Sequence, residues 1–276
     1  LAKKRGVEVH VDYFTPATAE KLRSTRERPK VIATSNTFNH IGDLHSFMKG
    51  IDIFLADDGF FVIEVPRAKE MIDNNLFENM YHEHVAQFSL LSIVKLGAFF
   101  GMEVVDVDRL PLIHGGSMRI FLSRKSQGIR GKPIVAEMLK DEADAGMLDK
   151  ASYDRLAKRV DAIGAEIRKI LGDFKKQGKK IAGYGASARG NTLVTYYGLG
   201  TDYLDFLVDK NPLKHGLYSP NLRIPIKPVE AIETEKPDVL FVLAWNFFDE
   251  IKNQQQAFLD RGGKFVAPLP TLRVVG

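Results

Sequence analysis

Short apolar runs that end in polar residues, each followed by a stretch with apolar spacing near three and four, recur along this chain and admit few folds. Residues 29–36 run from Pro29 through Val31 and Ile32 to Ser35 and Asn36, residues 44–55 follow with helical spacing, and residues 59–66 form the next apolar run. An alternating segment over 7–14 and a helical stretch over 17–23 predict one further strand and helix ahead of these. Such a β-α-β-α-β succession predicts a mostly parallel sheet with crossover helices, whose ligands sit outside the carboxyl ends of the strands. The strand ends at Ser35-Asn36 and Glu64-Val65-Pro66 are therefore the places to look.

The spacing predicts a helix over 89–101 with a broad apolar face and a C-terminal glycine, then a hairpin-like pair of strands over 102–108 and 117–123. Residues 131–177 are charged and helical, and read as a connecting helix packed on both lobes. A second parallel sheet is expected from strands over 179–185, 204–208, 239–243 and 264–267, with helices over 190–197 and 246–261 between them. The 276 residues suit two lobes of this kind.

Composition is that of a globular chain, with 45% hydrophobic and 27% charged residues, so disorder and fibrous repeats are excluded. The net charge of +4 is scattered rather than gathered in a basic block, which implies no nucleic acid partner and suits an anionic small substrate. There is no cysteine, hence no disulfide and no thiolate metal site. No apolar run approaches the length of a membrane span and the N-terminus lacks a signal-peptide core, so no membrane partner is expected and a cytoplasmic location is the default. The first residue is Leu1, and residues 1–6 read as the last turn of a helix, so the chain is expected to lack the front of its fold.

Tyr81-His82-Glu83-His84 places four proton-handling side chains in four residues. A histidine near its ordinary pKa takes a proton at neutral pH, a carboxylate fixes its tautomer, and a tyrosine donates to a developing oxyanion. These are the requirements for removing a proton beside a carbonyl. The alternatives are a helix-entry loop with solvated or capping side chains, and a metal site through His82 and His84 that lacks a complete ligand set. His40 lies just beyond the first polar strand end, at the ligand-facing edge, although a lone loop histidine is usually structural.

Gly183-Tyr184-Gly185-Ala186-Ser187-Ala188-Arg189-Gly190 follows a strand and opens a helix, and Asp209 closes the next strand. Glycines let backbone amides approach a phosphate, and an acid at the second strand end can hold a ribose. A tight turn without ligand, or a nicotinamide dinucleotide site, fits the same residues. In the polar loop after Asp209, Lys210 and Lys214 are candidates for a phosphate, or solvated surface. Trp245, the sole tryptophan, and Asn246 stand at another strand end, suited to stacking on and bonding a base or to core packing.

Taken together, residues 35–40, Tyr81-His82-Glu83-His84, Gly115-Gly116-Ser117-Met118-Arg119-Ile120-Phe121, residues 183–191, residues 209–216 and Ala244-Trp245-Asn246 resemble the sugar C-methyltransferases of deoxysugar biosynthesis. The resemblance covers nearly the whole chain. It implies an α/β fold: a partial class I, Rossmann-like methyltransferase lobe over 1–126, connecting helices over 127–178, and a smaller Rossmann-like lobe over 179–276. It implies S-adenosylmethionine as cofactor and a nucleotide-linked keto-deoxysugar, usually a dTDP-sugar, as substrate. His84 would be the general base, assisted by Tyr81, Glu83 and His40. The carboxy-terminal lobe would hold the nucleotide-sugar through Gly183, Gly185, Ser187, Arg189, Asp209 and Asn211, with Trp245 and Asn246 nearby, and Asn36 and Glu64 would contact the cofactor. Family members begin with a Cys-rich zinc module and a Gly-rich cofactor loop, neither of which is present before residue 13, so cofactor affinity of the chain as given is an open expectation. The rivals are an NAD(P)-dependent oxidoreductase using the 183–209 segment and a non-catalytic nucleotide-sugar-binding module. Neither the sugar nor the oligomeric state is legible here.

Overall fold

A computed structural model describes every residue of the chain except Leu1, Leu112 and His114. It divides into two compact units, the first formed by Leu1–Arg67 and Val85–Asp144, the second by Ala68–His84 and Ala145–Gly276. The division is discontinuous, unlike the consecutive segments expected from sequence. The Tyr81–His84 segment belongs to the second unit.

In the first unit, helix α1 (Pro16–Thr25) starts at Thr15, whose hydroxyl accepts the Thr18 N–H at 3.3 Å, with Pro16 at the first helical position. Strand β1 (Val31–Ser35), helix α2 (Leu44–Phe54) and strand β2 (Phe60–Pro66) follow. Asp43 caps α2 by accepting the Ser46 N–H at 2.9 Å. Past the excursion into the second unit come helix α4 (Leu90–Phe99), the hairpin of β3 (Met102–Leu110) and β4 (Ser117–Arg124), and helix α5 (Pro133–Asp144), with α3 (Ala68–Asp73) lying in the excursion itself. The sheet order is β1-β2-β4-β3, with β1 and β2 parallel and the rest antiparallel. Its apolar residues, among them Phe38, Met48, Phe61, Ile63, Ile93 and Ile120, form one core with the helices.

The strand expected over 7–14 does not form. Val7, Val11 and Tyr13 are exposed and no ladder partner runs beside them. Alternation specifies a strand only where a neighbour supplies hydrogen bonds and a buried face, and here neither is present. The helical region over 131–177 is also two helices rather than one. Its first part, α5, packs on α4 and β3 of the first unit, and its second, α6 (Lys150–Lys176), packs on α3 and β5 of the second.

In the second unit, β5 (Ile181–Tyr184), α7 (Ala188–Tyr197), β6 (Phe206–Val208), β7 (Ile226–Lys227), α8 (Ala231–Glu235), β8 (Val239–Val242), α9 (Phe248–Gln254), α10 (Gln256–Asp260), β9 (Lys264–Ala267) and β10 (Arg273–Val275) follow α6. The helix expected over 246–261 is therefore broken, at Gln255. The sheet order is β10-β9-β8-β5-β6-β7, parallel throughout except for the β10 edge. The chain leaves β5 toward β6 on one side and returns to β8 on the other. The crevice outside the carboxyl ends of β5 and β8 is thus the topological switch point at which open α/β sheets bind ligands.

Candidate active site

Tyr81 and His84 face each other, while His82 and Glu83 point outward. The Tyr81 hydroxyl lies 2.8 Å from His84 Nε2, and His84 Nδ1 lies 2.8 Å from the Asn79 carbonyl oxygen. A carbonyl only accepts, so Nδ1 carries the proton, and Nε2 of the neutral ring accepts from the Tyr81 hydroxyl. The two rings overlap with centroids 4.1 Å apart. This is a defined tautomer with its basic nitrogen held toward a phenol. Burial, then the charge of Glu83, pushes the Tyr81 hydroxyl above its ordinary pKa, against the opposing charge of Arg189. The His82 side chain is 89% exposed, and both ring nitrogens of His84 face protein partners, so the two histidines do not converge on a metal.

Three of the expected motifs meet at a residue that sequence reasoning missed, Glu78. Its carboxylate is 1% exposed, on the turn Phe77–Asn79, and its Oε1 accepts the Trp245 indole N–H at 3.0 Å and a bond from the Arg189 guanidinium. The Arg189 guanidinium also sits over the Trp245 ring, 5.2 Å from its centroid. Arg189 and Trp245, expected at a phosphate and a base, are engaged with Glu78 and with each other. A carboxylate inside the apolar stretch Leu76-Phe77-Glu78-Asn79-Met80 was the one available signal.

At the β5–β8 switch point, Gly185 and Asp209 line a cavity of about 280 Å³ with Tyr184, Lys210, Ala244 and Phe247. A neighbouring cavity of about 270 Å³ shares Tyr184, Asp209 and Lys210 and adds His215. The two glycines have protein reasons. A Cβ at Gly183 would lie 2.4 Å from Leu207 Cδ2, and Gly185, at φ +101°, would bring its Cβ within 3.0 Å of the Ala244 Cβ. Ser187 caps α7 by accepting the Gly190 N–H at 3.1 Å. Asn211 accepts the Leu213 N–H at 3.1 Å, and Asn246 is exposed.

Asp209 is a hub inside the loop. Its carboxylate accepts the Ala186 and Asn211 N–H groups, each at 2.8 Å, and Lys214 Nζ at 3.2 Å. Burial acts against its charge, but the Asn211 and Ala186 N–H groups and Lys214 outweigh it and hold the carboxyl below the usual range. Lys214 also donates to the Ala186 carbonyl at 2.8 Å, so this lysine closes the loop internally instead of reaching for a phosphate. A carboxylate so occupied offers little to a dinucleotide ribose.

In the first unit, Glu64 ends β2 and faces Arg119 in the β2–β4 register. Its Oε1 accepts the Ser35 hydroxyl at 2.9 Å, and its Oε2 accepts the Arg119 Nε and terminal N–H groups at 3.0 and 2.6 Å. Glu64, expected at the cofactor, is thus spent on an ion pair across the sheet. Asn36 stands at φ 49° just past β1, its amide 3.4 Å from the Ser35 hydroxyl. His40 lines a cavity of about 560 Å³ with Tyr13, Phe14, Thr37, Asp43 and Phe47.

A buried network in the same unit had no counterpart in the sequence reading. Arg67, 1% exposed, donates through Nε to Glu142 Oε1 at 2.9 Å and through a terminal nitrogen to Asp141 at 3.0 Å. Glu142, also 1% exposed, accepts the Leu90 and Leu91 N–H groups that open α4, at 2.8 and 3.0 Å.

A family model described as the C-methyltransferase C-terminal domain matches residues 112–270, more than half of the chain. The chain belongs to the sugar C-methyltransferase family. Over 275 residues, the full extent of this chain, it is 36% identical to the C-methyltransferase NovU of Streptomyces niveus, and it spans 65% of that relative's length. The α/β fold and the family resemblance expected from sequence are borne out. Among the described residues of this family member, no helix is long and apolar enough to cross a membrane.

Proposed function

We infer that the protein to which this chain belongs transfers a methyl group from S-adenosylmethionine to a carbon beside the ketone of a nucleotide-linked keto-deoxysugar, with dTDP as the leading nucleotide. The observation that carries this reading is the His84 tautomer: Nδ1–H bound to the Asn79 carbonyl and Nε2 held as an acceptor toward the Tyr81 hydroxyl. A base for removing a proton next to a carbonyl needs that unprotonated nitrogen, and the enolate that forms needs a nearby donor.

In the reaction, the substrate takes the place between the two side chains. His84 Nε2 accepts the proton, the C–H electron pair moves to the carbonyl oxygen, and the Tyr81 hydroxyl turns from Nε2 to that oxygen. The resulting imidazolium stays bonded through Nδ1–H to the Asn79 carbonyl, which offsets its new charge. Glu83 and His40 are proposed as assistants to this proton transfer. The nucleotide belongs at the β5–β8 switch point, where Gly185 and Asp209 line the cavity and Gly183, Ser187, Asn211 and Asn246 shape its approach.

For the cofactor, the cavity beside His40 has an aromatic floor in Phe14 and Phe47 and carboxylates in Asp12 and Asp43, a donor set that suits a nucleoside, and Asn36 stands at the neighbouring strand end. Glu64 does not fit that role, because Ser35 and Arg119 occupy its carboxylate. The chemistry that S-adenosylmethionine supplies when bound is an electrophilic methyl group for the nucleophilic carbon.

The test separates proton abstraction from methyl transfer. A dTDP-linked keto-deoxysugar incubated with the protein in D2O, without methyl donor, is expected to gain deuterium at the carbon beside its ketone, and His84→Ala is expected to abolish the exchange. Exchange that persists in His84→Ala would remove His84 as the base.

A further inference from the structure

We propose that Glu78 is the positioning residue of His84: its buried carboxylate, gripped by Trp245 and Arg189, fixes the adjoining Asn79 carbonyl that selects the histidine tautomer. The inference rests on the reading of His84 as the base and names what makes it one.

The geometry is a short chain of contacts within the second unit. Oε1 of Glu78 accepts the indole N–H of Trp245 at 3.0 Å and a bond from Arg189. The turn that carries Glu78 is closed by the Asn79 N–H to Leu76 oxygen bond at 3.2 Å and the Met80 N–H to Phe77 oxygen bond at 2.9 Å. Phe77 packs against the rings of Tyr196 and Tyr197, with centroids 5.0 and 5.1 Å away. Side chains before and within the turn therefore hold it from two sides, and the carbonyl of the next residue, Asn79, meets His84 Nδ1 at 2.8 Å.

A merely structural residue at this place would be cheaper as an apolar one, because a buried carboxylate must recover its lost hydration from its partners. Here the recovery is incomplete, since Glu78 Oε2 is buried without a hydrogen-bond partner. What the charge does supply is a fixed site for Arg189, whose positive charge acts on the Tyr81 hydroxyl, the other partner of His84. One carboxylate thus governs both faces of the imidazole. Through Asn79 it keeps the proton on Nδ1, whereas histidine in solution favours the proton on Nε2, and through Arg189 it steadies the phenol that faces Nε2.

The test reads the tautomer directly, by nitrogen-15 NMR of the histidine rings in the full chain, with the His84 signals assigned by their loss in His84→Ala. Glu78→Ala is expected to lower the Nδ1–H to Nε2–H ratio of His84 about fivefold to tenfold, the worth of one hydrogen bond. Glu78→Gln keeps an oxygen for the indole N–H and is expected to hold the ratio within about twofold of the parent. Trp245→Phe keeps the ring and deletes only its donor, and it decides the matter if the alanine variant does not fold; it is expected to shift the ratio in the same direction as alanine, by less. An unchanged ratio in Glu78→Ala, or in Trp245→Phe where alanine does not fold, overturns the proposal. Deuterium exchange of the keto-sugar, read on the same variants, keeps the two ideas apart. A shifted tautomer with unaltered exchange supports Glu78 as the positioning residue and overturns His84 as the base.

Discussion

The hydroxyl of Tyr81 lies 2.8 Å from Nε2 of His84, the only ring nitrogen of that histidine left to accept once Nδ1–H is committed to the Asn79 carbonyl. The phenol and the imidazole therefore have separable roles, and substitutions distinguish them. Tyr81→Phe is expected to slow deuterium exchange beside the ketone about 100-fold, the usual cost of deleting one donor to a developing oxyanion. His84→Ala is expected to cost about 100-fold to 10,000-fold, the range of general base catalysis. Steady-state NMR of exchange in D2O measures both, and an exchange rate in Tyr81→Phe equal to that of the parent would show that the phenol does not meet the enolate.

The Tyr81 hydroxyl sits above the ordinary tyrosine value of 10.0, chiefly through burial and next through the Glu83 charge. Because the folded value is raised, its contribution to stability is fully present below pH 10 and is lost as pH rises through the folded value. The phenol accordingly stays protonated, and remains a donor, throughout the neutral range. In an ultraviolet titration, the tyrosinate signal that disappears in Tyr81→Phe is expected to have its midpoint above pH 10. Glu83→Gln, which removes a negative neighbour, is expected to move that midpoint downward. A midpoint at or below 10 in the parent would contradict the buried setting described for this ring.

How far the site was legible depends on the range of the interactions that build it. The density of proton-handling groups in Tyr81-His82-Glu83-His84 was visible, but not the division into an inward pair and an outward pair, because a turn imposes neither the helical nor the strand period on its side chains. Glu78 was invisible for a different reason: its partners Arg189 and Trp245 lie 111 and 167 residues away, and no local pattern marks a contact of that range. The glycines at 183 and 185 were legible as a tight turn, yet their cause is the closeness of Leu207 and Ala244. Residues 7–14 show the opposite failure, a sound alternation that forms no strand for want of a neighbour. The β-α order, the hairpin of β3 and β4 and the Asp209 strand end were all readable, since each follows from periodicity and turn residues alone.

The Arg67–Glu142 pair predicts a large and asymmetric stability effect. Both side chains are almost wholly buried, and Glu142 also receives the first two N–H groups of α4. Glu142→Ala leaves a buried guanidinium without its principal partner and is expected to cost about 3–5 kcal/mol. The Asp141 side chain is 36% exposed, so water screens its pairing with Arg67, and Asp141→Ala is expected to cost about 1 kcal/mol or less. Urea unfolding of the two variants measures the difference. Equal losses would mean that Glu142 is not the group that compensates the buried arginine.

Two glycines on α6 are expected to answer the same substitution with opposite signs. In a helix interior, alanine is favoured over glycine by about 1 kcal/mol. At Gly172 the nearest atom to a new Cβ is Tyr203 Cε1 at 4.0 Å, so the propensity gain is expected to appear almost in full. At Gly164 the Cβ would lie 2.3 and 2.4 Å from Cε1 and Cδ1 of Tyr197, and that ring is not free to yield. Its hydroxyl donates to the Val160 carbonyl at 2.9 Å, and its face packs on Phe77 with centroids 5.1 Å apart. Overpacking of about 1–3 kcal/mol then exceeds the helix gain, and Gly164→Ala is expected to lower the urea midpoint while Gly172→Ala raises it. The Gly164 result also bears on the site, since Phe77 immediately precedes Glu78. If Gly164→Ala is stabilising, Tyr197 moves aside without penalty, and the turn that carries Glu78 and Asn79 is held by the Trp245 and Arg189 contacts rather than by ring packing.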